Sequence, residues 1–64
     1  MLIQTKYLGE IKITQDEIIT FPYGLLGFED YHDFIILDVP GNSHFKFLQD
    51  INHSYLTFLL INPW

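Results

Sequence analysis

Thr20-Phe21-Pro22-Tyr23-Gly24-Leu25-Leu26-Gly27-Phe28-Glu29-Asp30 sets large apolar side chains, Phe21, Leu25, Leu26 and Phe28, among the backbone breakers Pro22, Gly24 and Gly27. Proline cannot donate to a strand ladder and interior glycines weaken any regular element, so the segment is neither a regular helix nor an uninterrupted strand. It reads as an ordered apolar loop. Ordinary loops are polar and mobile, whereas a hydrophobic one either plugs its own core or is held out for a partner. Both readings stand at this point.

Outward from the loop, the flanks carry strand patterns. Met1 to Tyr7 alternates, with Ile3, Thr5 and Tyr7 on one face, and Glu10 to Thr14 alternates again with Ile11 and Ile13 together, the period of a strand. Gly9 breaks the run, which predicts a hairpin about Leu8-Gly9. Gln15-Asp16 is a polar turn, and Glu17 to Phe21 is a β-branched strand that Pro22 ends. The acidic and aromatic residues Glu29 to Phe34 predict one short helical turn.

Phe34 to Asp38 is the compact apolar run of a buried strand, closed by Pro40-Gly41 in the order of a type II turn. His44 to Gln49 alternates, Phe45, Phe47 and Gln49 facing one way and His44, Lys46 and Leu48 the other. Asp50 to Ser54 is rich in capping residues and predicts a turn or a single helical turn. Tyr55 to Ile61 is the last strand, and Asn62-Pro63 signals another turn just before the final Trp64. The expected class is therefore all-β with one or two short helical turns, a small antiparallel barrel-like fold in one domain spanning residues 1–64, incomplete at its C-terminal end. The last apolar strand is the expected unpaired edge.

Composition narrows the chemistry. Sixty-four residues allow one small domain, and a chain of this size buries only about 60% of its extended surface. There is no cysteine, hence neither disulfide nor thiolate metal site. Eight acids against three lysines and no arginine give a formal charge of −5. Scattered Lys6, Lys12 and Lys46 cannot grip a phosphate backbone, so nucleic acid is not an expected partner. The charge favours a basic partner, and it also serves plain solubility. The N-terminus lacks the basic head and apolar run of a signal peptide, and no run approaches the ~20 apolar residues of a membrane helix. A soluble intracellular protein is the default expectation.

No catalytic, cofactor or metal site is expected. His32, His44 and His53 match no paired-ligand zinc spacing, and a surface or turn position suits them better. Glu29, Asp30 and Asp33 fall short of a calcium loop; they read as a helix start or an acidic docking rim. Gly24 and Gly27 lack the Lys-Ser/Thr sequel of a phosphate cradle and serve tight bends. Tyr55, Phe45, Phe47 and Phe58 lack the basic company of a base-stacking platform, and core packing is expected for most of them.

Three stretches resemble the N-terminal portion of the FliW family of flagellar assembly factors. They are Gln4 to Ile11, the signature Ile19 to Asp30, and Phe47-Leu48-Gln49 followed by Leu56-Thr57-Phe58 and Ile61-Asn62-Pro63. The signature is the specific one. The family often has proline at position 26, tryptophan at 47 and aspartate at 62, where this chain has Leu26, Phe47 and Asn62. Its members also continue through several more strands. The resemblance implies a non-enzymatic cytoplasmic protein that binds flagellin and, when released, binds CsrA, a basic RNA-binding dimer, so relieving repression of flagellin mRNA. The partner surface expected on this chain is Phe21, Pro22, Leu25, Phe28, Glu29 and Asp30, with packing accounting for at least half of them. The alternative reading is a truncated β-sheet fragment that self-associates through its open edge strand without independent activity.

Overall fold

The computed structural model describes residues 1–61; the turn signal at Asn62-Pro63 lies outside the described residues. Six strands run β1 Leu2–Gln4, β2 Glu10–Lys12, β3 Ile19–Thr20, β4 Asp33–Val39, β5 Asn42–Asp50 and β6 Thr57–Ile61. They form two antiparallel sheets, a ribbon β1-β2 and a four-stranded sheet in the order β3-β4-β5-β6. The all-β antiparallel class is the one read from the sequence. The sheets do not close, because β1 and β2 pair only with each other and the larger sheet ends in β3 and β6 among the described residues.

The ribbon pairs Ile3 with Ile11 as the hairpin prediction requires. It is shorter than the alternation of Met1 to Tyr7 implied. Thr5 ends β1: its backbone N–H and its hydroxyl both donate to Gly9 O, at 2.9 and 2.7 Å, while the hydroxyl accepts from Leu8 N at 2.9 Å. That closed loop turns Tyr7 out to stack on Phe47, ring centroids 5.3 Å apart. Ile3, Ile13 and Ile35 are buried together, with Ile11, Ile18, Leu37 and Ile51 packed around them. The ribbon thus covers the face of the larger sheet that carries Ile35, Leu37 and Phe47.

Between the sheets the structure corrects two expectations. Gln15–Glu17 is a 3-10 turn rather than a plain polar turn, and it shortens the strand expected over Glu17 to Phe21 to Ile19–Thr20. The Glu17 carboxylate folds back to accept from Thr14 N at 2.8 Å and from the Thr14 hydroxyl at 3.0 Å, half of a capping box. The helical turn expected at Glu29–Phe34 does not form. Tyr31 N donates to Phe28 O at 3.1 Å in a single turn, and Asp33 and Phe34 are taken by ladder pairing with Thr20 and Ile19. Pairing to two neighbouring strands overrides a weak local preference.

The β4–β5 hairpin places Pro40 and Gly41 between the paired Val39 and Asn42, Gly41 at φ +77° as the second central position of a type II turn demands. The register then shifts between Asp38 and Val39, leaving Ser43 to Phe45 between the Asn42 and Lys46 pairings. At the far end of β5 the chain buries two polar residues that alternation alone did not flag, Gln49 and Asp50, each 1% exposed. Gln49 Nε2 donates towards Asp50 O, Leu56 O and Ser54 O at 3.0, 3.1 and 3.2 Å, and its Oε1 accepts from Lys6 N at 3.1 Å. Asp50 Oδ1 accepts from Asn52 N and His53 N at 2.7 and 2.9 Å, the local bonding that makes Asp-led turns. The expected turn over Asp50 to Ser54 is present. β6 begins at Thr57, later than expected, because Leu56 N bonds back to His53 O. Tyr55 is consequently an exposed turn residue and not a core aromatic.

Candidate functional site

The apolar loop packs on the face of the larger sheet opposite the ribbon. Three consecutive tight turns build it: Gly24 N donates to Phe21 O at 2.9 Å, Phe28 N to Leu25 O at 2.7 Å, and Tyr31 N to Phe28 O at 3.1 Å. Gly24 and Gly27 take φ of +72° and +83°, a region open to glycine at little cost. A Cβ on Gly24 would stand 2.5 Å from Glu29 Cα and O, so the chain closes on itself there.

Aromatic contacts fasten this loop down. Phe21 meets the fully buried Phe34 edge to face at 5.6 Å, and Phe28 meets Phe58 in the same manner at 5.1 Å. Phe21 N donates to His32 O at 2.8 Å, and Phe21 O lies 2.8 Å from His32 Nδ1. Phe28 also touches Tyr31 at 6.1 Å, and Tyr31 leads to His53 and Tyr55. The Tyr31 and Tyr55 hydroxyls are 3.0 Å apart, a bond that raises the Tyr55 phenol above its ordinary value. His53 in turn lies with Nδ1 3.1 Å from Asp50 Oδ1. The histidines are turn and surface residues: His32 and His53 half-buried, His44 exposed.

The six residues picked from the sequence fall into two groups. Phe21 and Leu25 are half-buried and Phe28 is laid on Phe58, so these three anchor the loop. Pro22, Glu29 and Asp30 are exposed. Glu29 Oε1 accepts from Gly27 N at 3.3 Å, and Asp33 Oδ1 accepts from the Thr20 hydroxyl at 2.9 Å. The acids therefore brace the loop and its rim, with no helix for them to start. Two residues that the sequence reading left outside the site are its most prominent: Leu26 is 97% exposed and Tyr23 89% exposed. Both are central residues of tight turns, flanked by Phe21–Gly24 and Leu25–Phe28. Counting turn positions along the loop was the signal that could have found them.

Elsewhere the surface offers less. A shallow depression at the other end of β4 is lined by Asp38, Val39, Gly41, Asn42, Ser43 and Lys46, and the Lys46 ammonium pairs with Asp38 inside it. Among the described residues no group of three or more His, Asp or Glu side chains is placed to hold a metal ion, and no helix is long and apolar enough to cross a membrane.

Against known proteins, the sequence model of the FliW protein family matches residues 2–64. The chain belongs to the FliW family. It is 43% identical, over its whole length, to the flagellar assembly factor FliW of Alkaliphilus metalliredigens strain QYMF, covering 40% of that protein. Against the protein of the same name from Bacillus velezensis strain FZB42 it is 39% identical and covers 45%. A crystal structure of the flagellar assembly factor FliW superposes with a TM-score of 0.92 at 36% identity, over 98% of this chain and 44% of that one. The chain thus spans less than half the length of these FliW relatives. The all-β antiparallel architecture described above matches that FliW structure over this part of its length.

Proposed function

We propose that this chain serves flagellar assembly as a non-catalytic, cytoplasmic partner-switching module, binding flagellin and, when freed of it, CsrA, whose repression of flagellin mRNA it relieves. The observation that carries the reading is the family match across residues 2–64 together with the FliW crystal structure at a TM-score of 0.92. The relatives' shared name, flagellar assembly factor, points to the pathway. A charge of −5 suits CsrA, a basic partner. Calorimetric titration of the chain with purified flagellin and with CsrA tests it: saturable binding to each, with flagellin displacing CsrA, is the expected result. Binding to neither overturns it.

A second reading rests on β6. Its outer edge has no partner among the described residues, and Leu59 and Ile61 are 57% and 70% exposed. Thr57 to Ile61 contains no lysine, proline or other edge-blunting residue, so the strand can pair with a second copy. Light scattering across a concentration series decides this, and a monomer at all concentrations removes it. In that case Leu59→Lys changes nothing; in an edge-paired dimer it restores the monomer.

A further inference from the structure

We infer that Leu26 and Tyr23 form a preformed apolar knob that inserts into a hydrophobic pocket with a basic rim on a partner protein. This deepens the function proposed above and rests on it, assigning the basic partner to one loop of this chain.

Two exposed apolar residues on a mobile loop would mean little. Here the loop is held by three consecutive turn hydrogen bonds and by the edge-to-face contacts of Phe21 on Phe34 and Phe28 on Phe58. Gly24 presses against the Glu29 backbone, leaving no slack beneath the tip. Leu26 and Tyr23 are therefore displayed on a fixed base, and docking them orders little new chain. Tyrosine buries a large apolar area for few rotamers and is enriched among interface anchors, and Leu26 adds its own apolar area to the same loop.

Charge selects the occupant. Thr20 to Asp30 holds no lysine or arginine, and Glu29 and Asp30 stand exposed beside the knob. A pocket rimmed by Lys or Arg would neutralise them on docking. A second copy supplies no such rim. Lys46 is paired with Asp38, while Lys6 and Lys12 belong to the β1–β2 hairpin, where Lys6 lies over the neighbouring Tyr7 ring. An anionic lipid surface would repel Glu29 and Asp30.

The test uses Leu26→Ser, Tyr23→Ser, their double variant and Glu29→Lys, each titrated with CsrA and with flagellin. Because both side chains are almost wholly exposed, the Leu26 and Tyr23 variants should melt within a degree or two of the parent, whereas Glu29→Lys also gives up the bond from Gly27 N. The double variant should lose roughly thirtyfold in affinity for CsrA, and Glu29→Lys should slow association and flatten its salt dependence. Parent-like CsrA affinity in the double variant overturns the knob while leaving the proposed function standing. A loss towards flagellin alone overturns the basic-partner assignment. Failure of the parent chain to bind either protein overturns the functional reading and the knob with it.

Discussion

The ring of Phe28 meets Phe58 edge to face, centroids 5.1 Å apart, and this contact joins the base of a breaker-rich loop to the edge strand of the main sheet. Phe28 keeps 38% of its surface, so it works as a staple and not as a buried plug. Phe28→Ala should cost about 2 kcal/mol, below the usual range for a wholly buried phenylalanine. Urea unfolding measures the loss, and amide exchange of residues 22–30 should quicken together. Unchanged exchange would show that the turns hold the loop without the ring.

Gly24 and Gly27 share a left-handed backbone and differ in the space around them. A Cβ on Gly27 meets nothing within 4 Å, whereas on Gly24 it collides with Glu29 backbone at 2.5 Å. Gly27→Ala should cost about 1 kcal/mol from backbone conformation alone. Gly24→Ala should cost about 3 kcal/mol or more, since backbone must move. Equal thermal shifts in the two variants would contradict the close approach.

Gln49 ties three pieces of chain together: β5, the turn that leads to β6, and Lys6 in the ribbon loop. Gln49→Leu preserves bulk but strands those backbone groups without a side-chain partner, at about 3 kcal/mol. The diagnostic is faster amide exchange at Lys6 as well as across residues 50–56. A variant as stable as the parent would mean that the turn satisfies itself.

The hydrogen bond between Tyr31 and Tyr55 predicts an alkaline effect. It raises the Tyr55 phenol from its ordinary value of 10.0 by favouring the protonated form. A folded-state value above the unfolded one contributes stability that is complete below pH 10.0 and disappears as pH climbs through the raised value. Thermal melts of the parent and Tyr55→Phe should therefore differ at neutral pH and converge above that value. A constant difference across the range would dismiss the bond.

Some of this architecture is legible in the chain because the deciding chemistry is local. Pro40-Gly41 is a turn whose two central positions need only those residues, and Phe34 to Leu37 is too apolar and β-branched to be anything but an inner strand. Other parts were hidden because a distant partner decides them. Glu29 to Phe34 looks helical until β3 claims Asp33 and Phe34 by pairing. Gln49 shares a strand face with Phe45 and Phe47 and Asp50 opens a turn, but that both are buried follows only from the turn backbone that supplies their partners.

By itself, then, the sequence determined that Thr20 to Asp30 must be an ordered apolar loop in an antiparallel β protein, since proline and glycine forbid regular structure there whatever surrounds them. It also carried the family signature. Only the tertiary structure divided that loop into anchors and tip. Side chains within a breaker-rich segment have no fixed period, so which of them face the sheet depends on where Phe34 and Phe58 stand to receive Phe21 and Phe28. Once those two rings are seated, Tyr23 and Leu26 are left pointing at solvent.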